Sequence, residues 1–344
     1  MNDLLAGLVR AVTDALGAFE AASRALSPLS LPVLRERLLS HAEAVEASRD
    51  RLMKSGLRDD DGAQGRLLEA ARLVLEAVER FGGGEDMAQA FMSVLRSLRT
   101  CCRAQELLFP LRHELPEIDL FFLEPGAETQ GKGHDAGEVR QVPGQDPYER
   151  GGYSLFVPEA APSGRSWPLV VALHGGYGHG RDFLWTWLRE ARSRVFLLMA
   201  PTSRGQTWSL ADIGADARIL RDHLEEVSSR YAVDPDRILL TGMSDGGTFA
   251  LGCGLGPDSP TAAIAPVSCV LPPVDLAHAR GRRILWVHGA QDWMFPVGRA
   301  ARACEDLSKA GADVRLRIIP DLSHAYPREE NDAILRWFAG QARD

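Results

Sequence analysis

Apolar residues recur at helical spacing through about the first 110 residues, and in short continuous runs from about residue 150 onward. One helical face near the start of the chain is formed by Leu5, Leu8, Val9, Val12, Leu16 and Phe19. The same spacing returns over residues 33–52, 67–81 and 87–108. Breaks are predicted at Ser30 to Pro32, at the cluster Asp59 to Gly65 and at the triple glycine Gly82 to Gly84. The pattern therefore predicts about four helices, which are stable only when their apolar faces pack together.

Short aliphatic and β-branched runs alternate with amphipathic stretches in the rest of the chain. Seven runs predict strands, at Tyr153 to Val157, Leu169 to Leu173, Val195 to Met199, Ile238 to Leu240, Ala263 to Val267, Ile284 to Val287 and Val314 to Ile319. Helices are predicted between them, notably over Ala211 to Tyr231, Gly246 to Leu255 and Arg299 to Ala310. This alternation is typical of a mainly parallel sheet covered on both faces.

The two patterns predict two domains, and a chain of 344 residues is long enough for both. We expect an all-α domain over residues 1–115 and an α/β domain over residues 151–344. The segment 116–150 is expected to be a linker or long surface loop, because from residue 124 it is rich in Gly, Glu, Asp and Gln.

Composition and charge narrow the class of partner. The chain is 45% hydrophobic and 25% charged, which is typical of a soluble globular protein. A net charge of −8 argues against nucleic acid and anionic membranes as partners. Charged residues interrupt the first twenty positions, so neither a signal peptide nor a stable membrane insertion is expected. Five cysteines, two of them adjacent, do not suggest a disulfide framework, and a cytoplasmic location is expected.

The strongest chemical signal is Gly242-Met243-Ser244-Asp245-Gly246, which follows a predicted buried strand and precedes a predicted helix. In a sharp strand-to-helix turn, glycines two residues either side of a serine remove the side chains that would collide. The helix N-terminus that follows favours developing negative charge. Ser244 is therefore the predicted nucleophile, and the alternative is an ordinary glycine-rich turn.

With this motif and its approach, Tyr231 to Gly242, residues 151–344 resemble the α/β-hydrolase superfamily. The likeness is nearest to the phospholipase/carboxylesterase and the polyhydroxybutyrate-depolymerase or feruloyl-esterase-like branches. The resemblance implies an α/β-hydrolase fold with a mainly parallel central sheet, here preceded by an all-α N-terminal domain. Many extracellular depolymerase-like members are secreted and disulfide-bonded, whereas this chain shows neither feature, which argues against a polymer substrate.

A serine hydroxyl needs a base, and the fold implies the order serine, acid, histidine along the chain. His324 follows the last predicted strand and is the predicted base, while His174 and His288, each beside a glycine at a strand end, are expected to shape their loops. Asp292 follows the strand Ile284 to Val287 and is the predicted acid. Asp321 is its rival, although its position three residues before His324 favours a role in a turn.

Acyl transfer also needs amides that hold the carbonyl oxygen as it becomes negative. The expected donors of this oxyanion hole are the backbone N–H groups of Gly176 and Asp245, with Tyr177 as the alternative to Gly176. Aromatic and apolar side chains beside the predicted catalytic loops are candidates for substrate binding or for packing at the loop base, namely Tyr177, Trp208, Met243 and Trp293. The scattered histidines and cysteines predict no metal site, and no cofactor is expected.

These features predict a serine carboxylesterase that hydrolyses a small-molecule ester through an acyl-enzyme intermediate. The alternatives are a serine peptidase or an acyltransferase on the same fold, or a partner-binding module whose hydrolase domain is incidental. The helical domain could support a homo-oligomer.

Overall fold

A computed structural model describes residues 3–55, 62–128, 137–143, 146, 148–160, 166–259 and 261–340. The chain divides into two compact units, Met1–Thr129 and Gln130–Asp344. No helix within the described residues is both long enough and apolar enough to cross a membrane.

The first unit is entirely helical in its described part. Its helices are α1 (Asp3–Arg24), α2 (Leu31–Lys54), α3 (Ala63–Arg80), α4 (Met87–Leu108) and α5 (Pro116–Phe121), with a 3-10 turn at Phe109–His113. The apolar face predicted for α1 is buried except for Leu5, which is partly buried, and Phe19 from this face meets Phe81 edge to face at a ring separation of 5.8 Å. The predicted all-α N-terminal region is thus confirmed, with α5 added beyond the four predicted helices.

The second unit is built on one sheet of eight strands in the order β1-β2-β4-β3-β5-β6-β7-β8. The strands are β1 (Val139–Val142), β2 (Tyr153–Phe156), β3 (Trp167–Leu173), β4 (Leu197–Pro201), β5 (Val233–Met243), β6 (Ala263–Val267), β7 (Arg283–Gly289) and β8 (Asp313–Ile319). Strands β3 to β8 run parallel, whereas β1 and β2 pair antiparallel at one edge.

Helices lie between most of the parallel strands and complete the α/β-hydrolase fold, as predicted. They are α6 (Gly180–Phe183), α7 (Leu188–Arg194), α8 (Ile213–Arg230), α9 (Asp245–Gly254) and α10 (Val297–Lys309), while α11 (Asn331–Phe338) follows the last strand and a 3-10 turn at Leu276–His278 lies between β6 and β7. The core contains aliphatic side chains of β3, β5 and β7 together with Phe249 and Trp286, which are fully buried.

The stretch 116–150, predicted as a linker or loop, contains two regular elements. Helix α5 begins at Pro116, and β1 pairs with β2 in the register Val139 to Phe156. Strand β1 is short and only partly buried, so it lacks the apolar pattern that marks the other strands. Residues 129–136, 144–145 and 147 of this stretch lie outside the described residues.

One predicted strand begins later than expected. Val195 and Phe196 precede β4, because Val195 ends α7 in a left-handed conformation with φ of 58°. The N–H of Phe196 then donates to the carbonyl of Ala191 rather than to a neighbouring strand. A β-branched residue is rare at positive φ, which explains why its pattern indicated a strand instead.

The parallel strands direct four chemically important loops to one edge of the sheet. The carboxyl ends of β3, β5, β7 and β8 lie at this edge, and the predicted catalytic and oxyanion-hole residues follow these four strands, whereas Trp208 follows β4. In open α/β sheets this edge is where ligands bind.

Candidate active site

Ser244 occupies a tight turn between β5 and α9. Its backbone is strained, with φ of 54° and ψ of −120°, and its N–H donates to the carbonyl of Val267 at 2.9 Å. A side chain on Gly242 would come within 2.6 Å of the Gly246 backbone, and one on Gly246 would come within 2.4 Å of the Leu173 carbonyl. The two glycines flanking the serine are therefore required by space.

The structure brings Ser244, His324 and Asp292 into one hydrogen-bonded chain. The Ser244 hydroxyl lies 3.1 Å from His324 Nε2, and His324 Nδ1 lies 2.9 Å from Asp292 Oδ2. All three side chains are buried, whereas Asp321 is exposed. The aspartate bonded to the imidazole is therefore Asp292. With Nδ1–H donating to this carboxylate, Nε2 is left to accept the serine proton.

Asp292 is held in place by its own loop. Its Oδ1 accepts hydrogen bonds from the N–H groups of Met294 at 2.9 Å and Phe295 at 2.7 Å. Burial raises the pKa of Asp292, but the hydrogen bonds from His324 and Phe295, together with the charge effects of His324 and His288, lower it by more, so this pKa lies below its ordinary value. The carboxylate therefore stays ionised opposite the imidazole.

His288 lies behind this acid loop and is fully buried. Its Nε2 donates to the carbonyl of Phe295 at 2.7 Å, and its Nδ1 accepts from Trp286 Nε1 at 3.3 Å. These two bonds fit only the neutral ring. Burial lowers the pKa of His288 below its ordinary value, against the opposing effects of the Phe295 carbonyl and Asp292. As expected, this histidine shapes its loop.

The loop after β3 lies directly against the serine turn. A side chain on Gly175 would come within 3.6 Å of Ser244 Cβ, and one on Gly176 within 2.9 Å of Asp245 Oδ2. Tyr177 adopts a φ of 59°, and its N–H donates to the carbonyl of Gln206 at 2.8 Å. Within the described part of the chain, the N–H groups of Gly176 and Asp245 have no protein acceptor. The geometry thus favours Gly176 over Tyr177 as an oxyanion donor.

The side chain of His174 holds this loop in place by hydrogen bonds. Its Nε2 accepts from the N–H of Ser203 at 3.1 Å, so its Nδ1 carries the proton and donates to the carbonyl of Gly175 at 2.7 Å. Trp208 Nε1 donates to the His174 carbonyl at 2.8 Å. His174 is therefore a loop support, as expected, and has no free nitrogen for proton transfer.

The aromatic residues singled out in the sequence differ in position. Tyr177 and Trp293 are about half exposed, and the Trp293 ring lies 6.3 Å from the His324 ring. Trp208, by contrast, is 4% exposed and stacks on Phe249 at 4.5 Å. This burial and stacking favour packing at the loop base, one of the two roles expected for Trp208. Met243 is partly buried next to Ser244.

Two residues of the site region, Arg150 and Thr207, are not predicted from the sequence. Arg150 Nε donates to the Ser203 carbonyl at 3.0 Å, and its Nη2 donates to the Gly178 carbonyl at 3.2 Å. The Thr207 hydroxyl donates to Asp245 Oδ2 at 2.5 Å. Neither residue lies in a motif, and only the tertiary fold brings them to the site.

No three His, Cys, Asp or Glu side chains in the described ranges are grouped so that they could hold a metal ion.

Comparison with known proteins gives one family match. Residues 211–339, which include Ser244, Asp292 and His324, match the phospholipase/carboxylesterase family. A search of curated proteins found no match.

Solved structures with a similar fold include several esterases. Esterase PE8 is 23% identical with a TM-score of 0.46, over 55% of this chain and 97% of that one. A thermostable esterase is 21% identical with a TM-score of 0.45, over 60% of this chain and 63% of that one. The acetyl xylan esterase from Aspergillus awamori is 17% identical with a TM-score of 0.48, over 60% of this chain and all of that one (100%).

Proposed function

We propose that this chain is a serine carboxylesterase of the α/β-hydrolase superfamily, working through an acyl-enzyme intermediate. The observation that carries the proposal is the continuous chain of hydrogen bonds from Ser244 through His324 to Asp292. Its setting adds support, because the strained serine turn lies beside two N–H groups that have no acceptor among the described residues.

The proposed reaction begins with attack of Ser244 Oγ on the ester carbonyl carbon. His324 Nε2 accepts the hydroxyl proton, and the Asp292 carboxylate stabilises the imidazolium that forms. The N–H groups of Gly176 and Asp245 donate to the carbonyl oxygen as it becomes negative. His324 then gives its proton to the leaving alcohol. Water repeats the sequence on the acyl-enzyme, releasing the carboxylic acid and restoring Ser244.

The proposed substrate is a small-molecule ester whose apolar part contacts the rim of the site. Tyr177 at 52% exposure and Trp293 at 48% exposure are large apolar side chains left open to solvent next to the serine turn and His324. Exposed rings of this kind beside a reactive centre are suited to apolar acyl or alcohol groups. Met243, adjacent to Ser244, is the third proposed contact.

Labelling with a fluorophosphonate probe tests the nucleophile. The wild-type protein is expected to label with one equivalent, and Ser244→Ala is expected not to label. Ser268→Ala is the matched control, because Ser268 follows the neighbouring strand and also has a positive φ of 45°. The Ser268 hydroxyl donates to the Ala325 carbonyl at 3.4 Å instead of to a histidine, so this variant should still label. A wild-type protein that stays unlabelled would overturn the proposal.

A substrate panel separates esterase activity from the alternatives on the same fold. We expect hydrolysis of p-nitrophenyl esters, and acyl chains from two to sixteen carbons identify the preferred length. Cleavage of matched peptide amides at comparable kcat/KM would identify a peptidase. Product ester formed from an added alcohol in preference to free acid would identify an acyltransferase. A protein that labels at Ser244 yet turns over none of these would favour the partner-binding alternative.

A further inference from the structure

The segment Ser203–Trp208, between β4 and α8, holds the loop that carries Gly176. We name it the clamp segment. The N–H of Ser203 donates to His174 Nε2 at 3.1 Å, and the Gln206 carbonyl accepts from the N–H of Tyr177 at 2.8 Å. Trp208 Nε1 adds a third bond, to the His174 carbonyl at 2.8 Å. Both sides of Gly176 are therefore tied to the same segment.

A guanidinium group strengthens the same attachment. Arg150 donates to the carbonyl of Ser203 at 3.0 Å, to its hydroxyl at 2.8 Å and to the carbonyl of Gly178 at 3.2 Å. The Gly176 loop and the clamp segment thus share a charged donor, and hydrogen bonds from charged donors are among the stronger ones in proteins. The two loops are therefore joined to each other by several hydrogen bonds on this side of Ser244.

The other end of the clamp segment is bonded to the serine turn. The Thr207 hydroxyl lies 2.5 Å from Asp245 Oδ2, and both side chains are partly buried. A side chain on Gly176 would come within 2.9 Å of the same carboxylate oxygen and within 3.9 Å of Thr207 Oγ1. The bond between Thr207 and Asp245 therefore lies where the two proposed oxyanion donors meet.

We propose that Thr207 and the side chain of Asp245 are positioning residues that fix the spacing of the oxyanion hole. The hydrogen bond between them joins the clamp segment, and with it the loop that carries the Gly176 amide, to the turn that carries the Asp245 amide. Oxyanion donors stabilise the transition state only when they are already in position, and small displacements of reacting groups lower the reaction rate strongly. The inference rests on the proposed function, because it assigns these two amides to the carbonyl oxygen.

The charge on Asp245 supports a positional role. A carboxylate close to a forming oxyanion opposes the negative charge that develops there. The direct electrostatic effect of Asp245 is therefore unfavourable to the reaction, and what the side chain supplies is its acceptor oxygen. Asp245→Asn keeps an acceptor for Thr207 and removes the charge, whereas Asp245→Ala removes both. We expect Asp245→Asn to be at least about tenfold more active than Asp245→Ala on a neutral ester.

Substitutions at Thr207 test the bond without touching either amide. Thr207→Val removes the hydroxyl at nearly constant volume and should lower kcat about tenfold on a p-nitrophenyl ester, with KM changed less than about twofold. Thr207→Ser restores the hydroxyl and should recover most of the loss. Binding of an alkyl boronic acid, whose serine adduct mimics the tetrahedral intermediate, should weaken with kcat in Thr207→Val, whereas binding of the product carboxylic acid should not.

Thr261→Val is the control for a purely structural loss. Thr261 is buried and its hydroxyl is bonded to Ser259 at 2.9 Å, but it lies just before β6, at the opposite edge of the sheet. We expect it to lower the melting temperature about as much as Thr207→Val and to leave kcat within about twofold.

The possible failures are distinguishable. The positioning role is overturned if Thr207→Val keeps full kcat, if Thr207→Ser loses as much as Thr207→Val, or if Thr261→Val lowers kcat equally. In each of these cases a wild-type protein that labels at Ser244 and hydrolyses esters would leave the proposed function intact. If the wild-type protein neither labels nor hydrolyses esters, the proposed function fails first.

Discussion

Two buried histidines, each followed by glycine at the end of a parallel strand, hold two different loops beside Ser244. His174 follows β3 and holds the Gly176 loop, whereas His288 ends β7 beside Gly289 and holds the acid loop. Each is at most 1% exposed and uses both ring nitrogens in hydrogen bonds. The difference lies in their neighbours: His174 is bonded to backbone groups, whereas His288 Nε2 lies 3.5 Å from the Asp292 carboxylate.

The comparison shows why proximity to the site does not identify a base. A general base must offer an unprotonated nitrogen to the proton it takes. In His174 and His288 the unprotonated nitrogen already accepts a hydrogen bond, from Ser203 and Trp286 respectively, whereas His324 Nε2 faces the serine hydroxyl. The hydrogen-bond partners of each ring, rather than its distance from Ser244, separate the roles.

The largest expected difference is in kcat, when each of the three histidines is replaced by glutamine. We expect His324→Gln to lower kcat by about 10⁵-fold or more, because Ser244 loses the proposed acceptor of its proton. His174→Gln and His288→Gln should each stay within about a hundredfold of wild type, since they only displace loops. Steady-state rates on an activated ester measure all three. Loss of activity in His288→Gln as deep as in His324→Gln would contradict the division of roles.

The two aspartates near His324 provide the next test. Asp292→Asn should lower kcat by about 10⁴-fold, because the imidazole loses the carboxylate that fixes its orientation and stabilises its charge. Asp321→Asn is the matched control, and this exposed position should change kcat less than about threefold. A larger loss in Asp321→Asn than in Asp292→Asn would transfer the role of the acid to Asp321, and equal losses would contradict a distinct role for Asp292.

Much of this arrangement could be predicted from the sequence, because it depends on the order of elements. Ser244, Asp292 and His324 each follow a run of apolar residues, and parallel strands bring such loops to one edge. The α/β-hydrolase fold and the helical N-terminal region are confirmed. The roles of the three side chains remain proposals that the experiments above can test.

Other features could not be predicted because they depend on tertiary contacts. Arg150 lies in a polar stretch, and only the fold brings its guanidinium to Ser203. For Trp208 the sequence leaves open both substrate contact and packing at the loop base, and the stacking of its ring on Phe249 comes from the tertiary fold. The direction of a side chain from a loop is set by packing, and no local pattern encodes it.

The contribution of His288 to the acid loop can be separated into packing and hydrogen bonding. His288→Leu fills the space but leaves the Phe295 carbonyl and the Trp286 N–H without partners, which should cost about 2–4 kcal/mol of unfolding free energy. We expect kcat to fall about tenfold as the Asp292 loop loosens. His288→Gln can still donate to Phe295 and should lose less of both. If His288→Leu is as stable and active as His288→Gln, the hydrogen bonds do not hold the loop.

The smallest expected effect is a pH dependence of stability that His288 should show. Its pKa in the folded protein lies below the ordinary value of 6.5, mainly because of burial and against the attraction of Asp292. The unfolded chain therefore takes up a proton first as the pH falls through 6.5, and folding loses stability there. The stability advantage of wild type over His288→Gln should shrink between pH 7 and pH 5.

Urea titrations followed by tryptophan fluorescence measure this difference in the second unit alone, because all seven tryptophans lie after residue 150. Asp292 does not interfere in this range. Its lowered pKa makes its own contribution disappear only as the pH falls below 3.8. The remaining histidines are common to both proteins and cancel in the comparison. A wild-type advantage that stays constant from pH 7 to pH 5 would mean that His288 is not held neutral. His324 is the ring proposed to take up a proton in each catalytic cycle. The difference in role between His288 and His324 would then be supported only by the hydrogen-bond partners of the two rings.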